Sequence, residues 1–108
     1  MGKEDFLGQF EQITLLALIR LGENAYGMTI RQEIAKRTGK EVSIGAIYTT
    51  LDRLEKKGFV SSRIGEATAE RGGRAKRYFK VKAAGATALN RSRETIARMA
   101  EGLALEGI

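Results

Sequence analysis

The segment Ser43–Lys82, SIGAIYTTLDRLEKKGFVSSRIGEATAERGGRAKRYFKVK, decides how this chain folds. In its first part Ile44, Ile47, Leu51 and Leu54 recur at steps of three, four and three, which gathers them on one face of a helix over Ser43–Lys57. Ser43 is a good N-cap, its hydroxyl being able to take a first-turn amide. Gly58 stops the helix. The pattern then changes period: Val60, Ser62 and Ile64 alternate with polar neighbours over Phe59–Ile64, and Phe79 and Val81 alternate with Tyr78 and Lys80 over Arg77–Lys82, as in half-buried strands. Between them Gly65–Ala75 contains Gly72-Gly73, which can adopt the positive φ values of a reversing chain. The segment therefore reads as a helix followed by a hairpin with a long tip.

Charge gives that hairpin a meaning. The chain carries a net +6. From Ser61 to Lys82, Arg63, Arg71, Arg74, Lys76, Arg77, Lys80 and Lys82 face only Glu66 and Glu70, while basic and acidic residues nearly balance elsewhere. A field so concentrated favours a polyanionic partner, most simply nucleic acid.

Upstream, Phe6, Phe10, Ile13, Leu16 or Ala17, and Leu21 predict a helix over Asp5–Leu21. Leu7, Leu15, Leu18 and Ile19 widen its apolar stripe until it needs cover from two sides. Gly22 closes it, a second helix spans Tyr26–Thr38 with Ile30 and Ile34 inward, and Gly39 ends that one. Downstream, Ala84–Leu105 resumes helical spacing with a narrow stripe. A narrow stripe outside the core and an over-apolar first helix match a helical dimer seam, to which Phe6, Leu7, Phe10, Leu89, Ile96, Met99 and Leu103 are assigned. The expected organisation is mainly α with a small β-hairpin: a winged helix-turn-helix over residues 1–82 and a C-terminal dimerisation helix over 83–108.

Composition narrows the function. The 108 residues suffice for one modest core. There is no cysteine and no histidine, which removes disulfides, thiolate metal sites, zinc fingers and imidazole catalysis, and fits a reducing cytosol. No signal-type start or membrane-length apolar run is present, so the expectation is a soluble cytoplasmic protein. Gly22–Thr29 has the glycine spacing of a phosphate loop, but Met28 stands where the lysine is needed and a helix precedes it. The carboxylates Glu4, Asp5, Glu33 and Glu94 are scattered with no nucleophile beside them, so an enzyme is not expected. Nothing calls for a cofactor.

With the core face of the third helix centred between Leu51 and Leu54, Gly45, Ala46, Thr49, Arg53 and Lys56 project outward. Gly45 and Ala46 permit close approach to a groove. Ser43 and the first-turn amides suit a phosphate, Thr49 offers a hydroxyl or a methyl, and Arg53 reaches a guanine edge or a phosphate. Tyr48 lies toward the edge of the core face, where it either packs or reaches a phosphate, and Thr50 on the other flank is assigned to a phosphate. Arg71, Arg74, Lys76 and Arg77 bracket the wing glycines, suited to phosphates or to a narrow minor groove.

The segments Gly8-Gln9-Phe10-Glu11, Ala25-Tyr26-Gly27-Met28-Thr29-Ile30, Ser43 to Glu55, Lys57-Gly58 and Arg71-Gly72-Gly73-Arg74-Ala75-Lys76-Arg77-Tyr78 together resemble the PadR-like transcriptional regulators, over about Leu7 to Gly85. The resemblance implies a winged-helix homodimer, usually a repressor, on an inverted repeat in double-stranded DNA, with the first and last helices forming the dimer and residues like Tyr48, Thr49, Arg53 and the wing cations on DNA. It leaves room for a small-molecule effector whose chemistry the sequence does not identify. Where relatives often open the last helix with threonine-proline, this chain has Lys82-Ala83, a weaker cap. The alternative is a winged-helix protein–protein adaptor that uses the basic hairpin for an acidic partner.

Overall fold

A computed structural model describes residues 6–65 and 75–107. Three helices come first: α1 (Gln9–Leu21), α2 (Gly27–Thr38) and α3 (Ile44–Lys56). The antiparallel strands β1 (Val60–Ile64) and β2 (Arg77–Val81) follow, and then α4 (Ala83–Ala100). The order is that of a winged helix-turn-helix with an added C-terminal helix.

Local chemistry sets the boundaries. The first helix begins at Gln9 rather than near Asp5, because Gly8 sits extended at the N-cap and its amide donates to Glu11 Oε1 (2.9 Å). Just before it, the Leu7 amide donates to Ser92 Oγ (3.3 Å), so this stretch is tied to α4 instead of continuing the helix. Gly39 ends α2 at φ 74°, the left-handed cap that glycine adopts without strain. Ser43 caps α3 as its sequence predicts, its Oγ accepting from the Ala46 amide (3.0 Å).

One core joins the elements. Leu15 and Leu18 of α1, Ile30 and Ile34 of α2, Ile47, Leu51 and Leu54 of α3, Val60 and Phe79 of the hairpin and Leu89 of α4 are all buried in it. Val60 pairs with Val81 and Ser62 with Phe79 on the sheet face that meets α3. The Phe79 amide donates to the Ala25 carbonyl (2.9 Å), which stitches the hairpin to the α1–α2 connection.

Three further expectations change. Ile44 is 37% exposed rather than core, because it opens α3 ahead of the turn where packing begins. The last helix ends at Ala100, short of Leu105. Leu7 and Leu89, assigned to the dimer seam, are buried in their own chain. Leu89 packs there because α4 is embedded through its first three turns, with Gly85, Leu89 and Ser92 buried. Beyond Ser92 the helix leaves the core, and the molecule measures 55 × 36 × 21 Å.

The rooting of α4 is tight. A Cβ on Gly85 would lie 2.2 Å from the Phe59 carbonyl oxygen, a backbone atom that cannot step aside. Gly85→Ala is therefore expected to cost about 1–3 kcal/mol through overpacking, read as a lowered urea midpoint with an unchanged slope.

Candidate nucleic-acid interface

Burying Ile47, Thr50, Leu51 and Leu54 leaves Gly45, Ala46, Thr49, Arg53 and Lys56 exposed along the opposite side of α3, as the sequence predicts. Ser43 stands exposed at the head of this row. Thr50 is a correction: at 3% exposure it belongs to the buried side, since one residue past Thr49 turns about 100° back toward the core. Tyr48 is half-buried. Its ring is tilted against Phe79 (centroids 6.3 Å apart), and its phenol lies so close to Gly27 that a Cβ there would come within 2.5 Å of the hydroxyl oxygen. Packing thus fixes the Tyr48 ring.

Arg53 does not simply hang from the helix. Its Nε donates to Glu11 Oε2 (3.0 Å), and Lys57 Nζ, one turn on, donates to the same oxygen (3.1 Å). Glu11 is 5% exposed, on the α1 stripe that also carries Leu15 and Leu18. Sequence reasoning passed over this glutamate. The signal was available: a carboxylate at the spacing of a buried stripe must find donors. Burial pushes the Glu11 carboxyl up, but the Gly8 amide, Arg53 and Lys57 outweigh it and hold the group below the ordinary glutamate range.

Arg77, at the root of the wing, braces the hairpin against α3. Its guanidinium meets Glu55 Oε1 (2.6 Å) and Asp52 Oδ1 (3.5 Å) and lies 4.9 Å from the centre of the Phe79 ring. Glu55 also accepts from the Ser62 hydroxyl (2.8 Å). The expectation that Arg77 offers its charge outward is corrected accordingly, since α3 supplies two carboxylates at that place. On the hairpin's other face, Tyr26 meets Tyr78 edge-on (5.4 Å), with Arg63 over Tyr78 (4.7 Å) and Lys76 Nζ over Tyr26 (5.2 Å). Glu23 approaches Arg63 (3.6 Å) and Lys80 (3.8 Å), pairs exposed enough to add little stability. Arg71 and Arg74 lie outside the described residues.

The arrangement is a helix with a small, polar outer row, and a hairpin fastened to that same helix by an arginine and two carboxylates. These are the parts of a winged helix-turn-helix DNA-binding protein. Residues 15–91 match the model of the transcriptional regulator PadR-like family, and the chain belongs to that family. Its members are DNA-binding transcriptional regulators, not enzymes. Among solved structures it is similar to a transcriptional regulator from Clostridium thermocellum (25% identity, TM-score 0.71, covering 84% of this chain and 85% of that one). It is likewise similar to a PadR-like transcription factor from Bacteroides fragilis (25%, 0.72, 87% and 85%). A third likeness is to hsRosR in the complex denoted hsRosR-S1 (25%, 0.65, 86% and 75%). A comparison with the curated proteins finds no match.

The lowered Glu11 pKa has a direction in pH. A depressed carboxyl contributes stability that is full above the ordinary glutamate range and is lost as the pH falls through its lower folded value. Urea midpoints measured across the acid range should therefore fall less steeply for Glu11→Gln than for the wild type, and the two should differ most near neutrality.

Proposed function

We propose that this regulator acts as a homodimeric repressor, placing α3 of each copy in the major groove of an inverted-repeat operator while the wing follows the neighbouring backbone. The observation that carries this reading is the exposed row Gly45, Ala46, Thr49 and Arg53 on a helix braced by Arg77 to a cationic hairpin. Small residues at the head of the row allow the helix end to approach base edges, with Ser43 and the first-turn amides beside a phosphate. Thr49 and Arg53 follow at one-turn spacing. Lys76, with Arg71 and Arg74 of the tip, supplies the phosphate or minor-groove contacts.

The second copy is assigned to α4. Residues 1–82 are read as the DNA-binding part and 83–108 as the dimerisation helix, rooted in the core by its first half. Beyond Ser92, Ile96, Met99 and Leu103 are exposed, as is Phe6 at the near end, whereas Phe10 is half-buried. Ile96 and Met99 standing this free on α4, with Leu103 just past its end, favour a matching helix across a two-fold axis. An open groove of about 710 Å³, lined among others by Phe6, Phe59, Ala88, Arg91 and Thr95, runs beside them. It offers room for the partner's helix or for a small effector that alters the spacing of the two recognition helices, about 34 Å for half-sites one turn apart.

Two measurements test the reading. With about six cations per site on phosphates, affinity for an operator duplex should fall by roughly three decades between 50 and 200 mM salt, measured by fluorescence polarisation. Met99→Asp, which places a charge in the seam, should convert the chain from the mass of two copies to that of one in light scattering, and should weaken operator binding with it. A wild type that scatters as a monomer on its operator would defeat the dimer reading.

A further inference from the structure

Arg53 and Arg77 flank the same helix but are held in opposite ways. Both terminal nitrogens of Arg77 face carboxylates: NH2 donates to Glu55 Oε1 (2.6 Å), and NH1 lies 3.5 Å from Asp52 Oδ1 as an ion pair. Arg53 gives Glu11 only its inner Nε, and its terminal nitrogens donate to no acceptor among the described residues. Its side chain stays half exposed, although its inner edge is pinned to a buried carboxylate. Arg77 is thus a brace, whereas Arg53 keeps an unspent pair of donors at its outer end.

We propose that Glu11 is a positioning residue for the contact between α3 and DNA: by holding the inner edge of Arg53 and the ammonium of Lys57, it presents the terminal guanidinium nitrogens of Arg53 outward, beside Thr49, as pre-set donors to a backbone phosphate. The proposal rests on the reading of α3 given above. Glu11 suits the task because its carboxylate is itself fixed. It lies on the buried stripe of α1, Oε1 takes the Gly8 amide, and Oε2 takes the two cations. A free arginine loses rotamer freedom when it takes a phosphate, but one already anchored at Nε lost most of it on folding. The guanidinium is also the cation that can be held at one edge and donate from another, since its donors are arrayed in a rigid plane. Lys57, one turn from Arg53, would repel it across the helix surface, and the shared carboxylate offsets that repulsion. In this way α1 fixes Arg53, one turn beyond Thr49 in the DNA-facing row.

The test uses the full chain and a duplex selected by the wild type from a random-sequence pool, with a scrambled duplex of equal length for comparison. Glu11→Gln keeps the shape and the acceptor for the Gly8 amide while removing the charge that holds Arg53. Glu11→Gln and Arg53→Ala should each weaken binding to the selected duplex by roughly three- to thirtyfold, and the double variant should bind no worse than Arg53→Ala alone, because Glu11 acts through Arg53. A double loss exceeding that of Arg53→Ala, or a Glu11→Gln variant that binds as tightly as the wild type or tighter, overturns the proposal. Arg53→Lys leaves Glu11 untouched and keeps the charge but loses the two-edged plane. It should lose as much affinity as Arg53→Ala, and full affinity would overturn the proposal. If Arg53→Ala binds like the wild type, the proposal falls for want of a contact to position. The reading of α3 itself falls only if the wild type shows no preference for the selected over the scrambled duplex.

Discussion

A helix of thirteen residues has one circumference to divide, and in α3 the core takes its share first. Ile47, Leu51 and Leu54 are fully enclosed between α1, α2 and the hairpin. With their direction fixed, the 100° step between residues sends Gly45, Ala46, Thr49, Arg53 and Lys56 to the other side. The outer row is therefore a by-product of apolar burial. Its rotational setting is as firm as the packing behind it.

Carboxylates then refine what burial established. Glu11 reaches α3 from α1, while Asp52 and Glu55 reach from α3 to β2. These anions sit among cations in a protein that binds a polyanion, and their effect is to decide which cations are spent. Arg77 is consumed as a strut between hairpin and helix. Arg53 is consumed only in part. The wing is held to the helix first by Val60 and Phe79, buried in the same core as Ile47, Leu51 and Leu54, and the ion pairs of Arg77 with Asp52 and Glu55 add direction to that apolar contact.

Helix α4 performs two jobs along one axis. Its first three turns complete the monomer core through Gly85, Leu89 and Ser92, and Ser92 also ties down the backbone ahead of α1. Its later turns present Ile96 and Met99 to solvent at 64% and 75% exposure. Anything that packs on the outer half is mechanically continuous with the winged core, because the helix is rigid and its root admits no side chain at Gly85. In the proposed dimer, pairing of the outer halves would set the distance between the two copies of α3 directly.

Periodicity alone determined most of the architecture. The helix and strand periods, the cap at Ser43, the stops at Gly22, Gly39 and Gly58, and the outward row on α3 are local properties, and local geometry carries them from sequence to structure. The family was legible from the motifs of α3 and the wing. What local spacing could not decide was which residues of an amphipathic edge another element would cover. Thr50, Leu7 and Leu89 went to the core, Ile44 went to solvent, and Arg77 went to carboxylates on α3. The pairing of Glu11 with Arg53, 42 positions away, depends on how α1 crosses α3. Such partnerships are long-range, and only the packed chain brings their members within bonding distance.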